Sequence, residues 1–118
     1  MFKKILFATT ASPACDNAAK VAFDLEMKWD AALCVFHVLG VPTRGYSSFV
    51  TDVRTGEDEQ IDPDYVDWVK EEMKHTYADL LKESDNATIE AVIGVPPREI
   101  LRNARSEDVD LIIMGAHT

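Results

Sequence analysis

Residues 87–115, ATIEAVIGVPPREILRNARSEDVDLIIMG, have the pattern strand, helix, strand. Segments 87–94 and 109–115 are apolar runs of the kind found in strands that a parallel sheet buries on both faces. Pro97 lies at the start of the helix, where its missing N–H costs nothing. The helical side chains that we expect to face the core are Ile100, Leu101 and Ala104. The segment therefore predicts two parallel strands joined by a right-handed crossover.

Two further strands and two further helices are predicted upstream. The apolar runs at 3–9 and 32–39 are the strands, and Ser12-Pro13 opens a helix between them with a hydroxyl residue at the N-cap. The apolar face expected for this helix comprises Ala18, Val21, Ala22, Leu25 and Trp29. A second helix begins at Pro63, and its apolar stripe comprises Val66, Val69, Met73, Tyr77, Leu80 and Leu81. Alternating strands and helices predict a three-layer α/β sandwich around a parallel, Rossmann-like sheet.

Charge restricts the partners of the chain. The formal net charge is -9, and the segment Asp52–Glu90 contains 13 acidic and 4 basic residues, so the remainder of the chain is neutral. A surface this acidic repels phosphate backbones and anionic lipids, so we expect neither nucleic acid nor membranes as partners. Two isolated cysteines, Cys15 and Cys34, are typical of a reduced, cytoplasmic protein.

Ligands of parallel α/β sheets bind beyond the carboxyl ends of the strands, where the strand order reverses. In this chain the turn after the first strand carries Thr9, Thr10 and Ser12, whose hydroxyls beside a helix N-terminus suit a ribose or an anion but equally suit helix capping. His37 lies within a strand pattern, which favours a hydrogen-bonded core histidine. No spacing in the sequence indicates catalytic residues or a metal site. Segment 41–62 shows no clear periodicity and predicts a long loop.

The segments KKILFATTAS, ALCVFHVLG and VIGVPPREILRNARSEDVDLIIMGAHT together resemble the universal stress protein family. Its most specific part is the pattern G-x-P-x-x-x-I followed by D-x-I-x-M-G. The resemblance implies a five-stranded parallel sheet, a cytoplasmic homodimer and an unknown protein partner. It also implies that some members bind ATP and hydrolyse it slowly if at all, whereas others bind none. Chemistry of the related adenine-nucleotide hydrolases is a more distant alternative.

The resemblance also implies a set of nucleotide-binding positions. Adenine, ribose and the start of a phosphate loop would lie against Ala8, Thr9, Thr10, Val38, Met114, Gly115 and Thr118. Thr10 stands where the family usually has an aspartate, and Thr118 stands where the loop has its second glycine. Both departures favour a non-enzymatic adaptor with impaired or absent nucleotide binding, with an ATP-binding member as the alternative.

The family's fifth strand, last helix and distal Gly-Ser would lie beyond Thr118. We therefore expect residues 1–118 to be a single universal stress protein domain without its C-terminal strand and helix. Its strand order would be 3-2-1-4, and ATP remains possible if the natural chain is longer.

Overall fold

The computed structural model describes residues 2–40, 49–51, 58–60 and 63–115. The strands are β1 Lys4–Ala8, β2 Ala32–Gly40, β3 Phe49–Thr51, β4 Asp58–Gln60, β5 Ala87–Gly94 and β6 Leu111–Met114. The helices are α1 Asp16–Trp29, α2 Pro63–Thr76, α3 Ala78–Lys82 and α4 Pro96–Ser106, and a 3-10 turn at Pro13–Cys15 leads into α1.

The main sheet has the order β5-β2-β1-β6, and its neighbouring strands are all parallel. The predicted α/β class and the order 3-2-1-4 of the four predicted strands are confirmed. The chain moves outward from β1 through β2 to β5 and then crosses back to place β6 on the other side of β1. The strand order therefore reverses between β1 and β6.

A second, two-stranded sheet pairs β3 with β4 in antiparallel fashion. Sequence analysis predicted a long loop there and missed this pair, because three-residue strands are too short to establish a period. The rest of segment 41–62 lies outside the described residues.

The two faces of the main sheet bury different side chains because successive residues of a strand point to opposite sides. Ile5 and Phe7 of β1 pack with α1 and α2, whereas Leu6 packs with Phe36 and Ile100 beneath α4. Full burial of each large apolar side chain contributes about 1.5–3 kcal/mol. These two cores hold the carboxyl ends of the strands in fixed positions.

The predicted apolar face of α1 was partly wrong. Val21 is 50% exposed, whereas Phe23 and Glu26 are buried. The helix is therefore rotated relative to the prediction, and the carboxylate of Glu26 is accommodated by a hydrogen bond that it accepts from the Ser84 hydroxyl.

The other two helices follow the prediction more closely. Val69, Met73 and Tyr77 are buried as expected, although the helix is interrupted at Tyr77 between α2 and α3. Helix α4 begins at Pro96, one residue before the predicted start, and Leu101 is 49% exposed, so its placement in the core was wrong. Within the described ranges, none of the helices is long and apolar enough to cross a bilayer.

Candidate functional site

A cavity of about 260 Å³ opens at the carboxyl ends of β1, β2 and β6. It lies where the strand order reverses, the usual ligand position in this class of sheet. Helix α4 closes one side through Pro96 and Ile100. The remaining lining residues are Ala8, Thr9, Thr10, Cys15, Phe36, His37, Val38, Gly40, Met114 and Gly115.

The cavity brings together most of the positions that the family resemblance implied. Six of the seven line it, namely Ala8, Thr9, Thr10, Val38, Met114 and Gly115. The seventh, Thr118, lies outside the described residues.

Thr9 connects the cavity to the core. Its Oγ1 lies 2.5 Å from the hydroxyl oxygen of Tyr77 and accepts a hydrogen bond from the Ala11 N–H at 2.9 Å. Its carbonyl oxygen lies 2.7 Å from Nδ1 of His37, so this nitrogen carries the proton and donates. His37 is therefore the hydrogen-bonded core histidine that the sequence favoured.

Burial raises the pKa of Tyr77, although the Thr9 hydrogen bond opposes the shift. The phenol consequently stays protonated at neutral pH and can donate to Thr9. The Thr9 hydroxyl is thus committed to structure and offers little to a ligand.

Thr10 is the more available hydroxyl. Its Oγ1 lies 2.8 Å from Oγ of Ser12 and 3.5 Å from Sγ of Cys15. Ser12 precedes the 3-10 turn but makes no side-chain capping bond, so its hydroxyl pairs with Thr10 instead. Both residues can exchange this mutual contact for one to a ligand hydroxyl.

Cys15 forms the floor beside Thr10. Burial raises the pKa of its thiol, but hydrogen bonds from Thr10, Thr9 and Ser12 together outweigh burial and hold the pKa below its ordinary value. A Cβ added at Gly115 would lie 2.6 Å from Sγ of Cys15, closer than two such atoms can approach. Glycine is therefore required where β6 ends at the cavity.

The walls formed by the described residues are apolar. Phe36, Val38, Ile100 and Met114 supply most of the surface, and the lining includes no lysine, arginine, aspartate or glutamate among the residues that the structure describes. In the described ranges, no group of three or more histidine, cysteine or acidic side chains could hold a metal ion. The described part of the lining therefore offers apolar contacts and hydroxyl groups.

Helix α4 points its N-terminus toward the cavity but has few amide donors there. Pro96 and Pro97 have no N–H, and the N–H of Glu99 is bonded to the Val95 carbonyl. An anion at this helix end would therefore find fewer backbone donors than helix termini normally offer.

Sequence analysis missed several lining residues, although signals for some were present. Phe36 occupies the same sheet face as Val38, two residues along β2, so the strand period could have identified it. Pro96 and Ile100 belong to the G-x-P-x-x-x-I pattern. Cys15 packs directly against Gly115, and only the tertiary structure shows that contact.

Comparison with known proteins supplies further context. A model of the Universal stress protein family matches residues 1–118. Universal stress protein MJ0577 of Methanocaldococcus jannaschii is 27% identical over 126 residues, covering 99% of this chain and 78% of that protein. The solved structure of MJ0577 superposes with a TM-score of 0.64 at 22% identity, covering 99% of this chain and 76% of that one.

Two other solved structures share the fold. Rv1636 from Mycobacterium tuberculosis H37Rv has a TM-score of 0.62 and 16% identity, with 97% of this chain and 71% of that one covered. A universal stress protein in complex with cAMP has a TM-score of 0.64 and 14% identity, with 95% and 75% covered. At these identities the likeness to solved structures establishes the fold alone.

Proposed function

Because the chain belongs to the universal stress protein family, we propose that it is a non-enzymatic stress-response adaptor with impaired nucleotide binding. Its cavity takes the adenosine part of an adenine nucleotide and holds the phosphates weakly. The observation that carries this proposal is the lining, in which the described residues combine apolar walls with hydroxyls and include no charged side chain. Residues 1–118 would form one domain, acting in the cytoplasm as a homodimer.

An adenine ring suits the apolar part of the cavity. Phe36, Ile100 and Met114 can contact its faces, and Met114, which is 61% exposed, can adjust to the ligand. Thr10 and Ser12 can contact the ribose hydroxyls. The part of the cavity that the described residues enclose, about 260 Å³, is slightly smaller than small-molecule sites of about 300 Å³ or more and is of the size of a nucleoside.

The phosphates would find little to hold them. The lining residues supply no cation, and two prolines remove amide donors from the N-terminus of α4. Thr10 stands where the resemblance implies an aspartate that contacts the ribose. Binding of the nucleoside should therefore be weakened as well. The relative crystallised with cAMP supports an adenine-containing ligand with a single phosphate for this fold.

The lining does not favour even slow hydrolysis of ATP. His37 is the one imidazole among the described lining residues, and Nδ1 of that ring is engaged with the Thr9 carbonyl. General acid or base catalysis of hydrolysis would need a group within hydrogen-bond reach of the attacking water. The lining residues that the structure describes include no carboxylate that could serve.

The test is calorimetric titration of adenosine into three proteins. Wild type should bind adenosine, and Ala8→Leu should weaken binding by about tenfold or more because the added atoms enter the cavity. Ala32→Leu is the matched control, since this exposed alanine lies at the opposite end of β2 and should leave adenosine binding unchanged. Equal binding by Ala8→Leu and wild type would overturn the assignment of the cavity.

The alternative function is that of an ATP-binding family member with slow hydrolysis or ATP-gated partner binding. The convergence of six implied positions at the strand ends favours it. Both functions predict that Thr10→Asp, which restores the family's usual residue, tightens binding relative to the neutral Thr10→Asn. They differ in wild type, where the alternative predicts that ATP binds about a hundredfold more tightly than adenosine, whereas the leading proposal predicts affinities within about tenfold of each other.

A further inference from the structure

Helix α4 carries a basic stripe on its exposed side. Arginine occurs at positions 44, 54, 98, 102 and 105, so three of the five arginines lie on this helix in a chain whose net charge is -9. Side chains three and four positions apart are neighbours on a helix surface. The exposed residues with this spacing, which we call the α4 stripe, are Arg98, Leu101, Arg102 and Arg105. Leu101 remains 49% exposed among the three arginines.

Helix α2 carries an acidic stripe with the same spacing. Its exposed members, which we call the α2 stripe, are Asp64, Asp67, Trp68 and Glu71. Trp68 is 48% exposed, although it stacks on Tyr65 with the ring centroids 5.9 Å apart. Each stripe therefore combines three like charges with one large, half-exposed apolar side chain.

The two stripes match in length and are opposite in charge. In each, the first and last members are seven residues apart, which is about 10.5 Å along a helix. When the stripes lie against each other, in either direction, the arginines at the ends of one face the carboxylates at the ends of the other. Such a contact pairs opposite charges and removes apolar surface of Trp68 and Leu101 from water.

Most charges of the stripes have no partner in the part of the chain that the structure describes. Two ion pairs are present there, Glu71 with Lys74 at 3.2 Å and Arg102 with Glu99 at 3.3 Å. Ion pairs at the surface contribute little to stability, so these two are easily exchanged for others. The charged members that form no ion pair within the described ranges are Asp64, Asp67, Arg98 and Arg105.

The topology keeps the stripes apart within one chain. Helix α2 packs on Ile5 and Phe7, on one face of the main sheet, whereas α4 packs on Leu6 and Phe36, on the other face. A contact between the stripes therefore needs two copies, and it is heterologous because each copy contributes a different surface. The copy that contributes its α4 stripe keeps its own α2 stripe open for a third copy.

We propose that the α4 stripe docks on the α2 stripe of a second copy of this chain, so that copies assemble head to tail. Both stripes lie outside the adenosine cavity, so this contact does not depend on the function proposed for that cavity. It also differs from the proposed homodimer, because a homodimer stops at two copies whereas a heterologous contact that does not close keeps adding them.

Sedimentation equilibrium of the 118-residue chain tests the contact. Because two short helix faces make a small interface, we expect weak association, with a mass that rises past two copies between about 10 μM and 1 mM. The buffer contains about 0.1 M salt, where a Debye length of about 10 Å screens the net charges of the copies more than charges in contact. In about 1 M salt, the association constant should fall about tenfold or more.

Charge reversal identifies the two surfaces. Arg98→Glu with Arg105→Glu reverses the α4 stripe, and Asp64→Lys with Asp67→Lys reverses the α2 stripe. Each double variant should lower the self-association constant by about tenfold or more, because its two stripes then have the same sign. An equimolar mixture of the two double variants should associate again, since it contains one intact stripe of each kind.

A matched control separates the contact from an effect of net charge. Lys20→Glu with Lys28→Glu changes the net charge as much as reversal of the α4 stripe does, but on exposed positions of α1, and should leave self-association unchanged. Circular dichroism checks that each variant folds.

Three results would overturn the proposal. They are a wild-type mass that stays constant up to about 1 mM, double variants that associate as wild type does, and a mixture of the double variants that does not associate. A constant mass would leave the stripes to solvent or to another protein. Adenosine binding by the same samples reports on the cavity separately.

Discussion

The hydrogen bond between Thr9 and Tyr77 joins the floor of the cavity to the start of α3, and Thr9→Val removes it while keeping the side-chain shape. The substitution leaves the buried Tyr77 hydroxyl and the part-buried Ala11 N–H without their partner. A buried orphaned group costs about 1–3 kcal/mol, and the Ala11 N–H costs less because water reaches it. We therefore expect Thr9→Val to lower the free energy of unfolding by about 2–3 kcal/mol.

The assay is urea unfolding of wild type, Thr9→Val, Tyr77→Phe and the double variant. Tyr77→Phe should cost about 1 kcal/mol, since Thr9 Oγ1 still accepts from Ala11. The double variant should be more stable than the sum of the single effects predicts, by about 1 kcal/mol. Thr9→Ser keeps both hydrogen bonds and is the control. Additivity within about 0.3 kcal/mol would refute the reasoning.

Three other predictions concern Gly115, Cys34 and Asp110. Gly115→Ala should lower stability by about 1–3 kcal/mol because its Cβ meets Sγ of Cys15, and Cys15→Ala should recover part of that loss in urea unfolding. Alkylation of Cys34 by iodoacetamide should keep accelerating up to about pH 11, and a plateau below pH 9 would contradict the raised pKa. Hydrogen bonds from the Lys3 and Lys4 amides hold the pKa of Asp110 below its ordinary value, so its contribution to stability exists above about pH 4 and is lost as pH falls. In urea unfolding measured from about pH 5 to 2, the free energy of unfolding of Asp110→Asn should fall less with decreasing pH than that of wild type. The same pH dependence in both proteins would contradict this prediction.

The sequence predicted the sheet because buried parallel strands leave a strong signal. The runs containing Phe7, Val35 and Ile112 are apolar without alternation. Pro63 and Pro97, the predicted starts of two helices, lie within one residue of the starts of α2 and α4, whereas Pro13 begins the 3-10 turn that leads into α1. The sequence predicted the buried faces of the helices less accurately than it predicted the strands. Val21 and Leu101 are apolar but exposed, since a short helix can bury only part of its apolar residues.

The residues of the candidate site were predicted from the family resemblance more than from the spacing of residue types along the chain. Ala8, Val38 and Met114 are ordinary strand residues, and their spacing alone identifies no ligand. What the sequence could not show is which separate elements meet, such as Cys15 with Gly115 or Leu6 with Ile100. Those contacts depend on the register of β1 with its neighbours and on the placement of α4.

The most direct test of the proposed function is the ratio of the dissociation constants of adenosine and ATP for this 118-residue chain, measured by calorimetry in one buffer. Because the described lining has apolar walls and no cation, the two constants should agree within about tenfold, or about 1.4 kcal/mol. ATP binding about a hundredfold tighter than adenosine would contradict the account, because the phosphates would then supply affinity that the described lining does not provide.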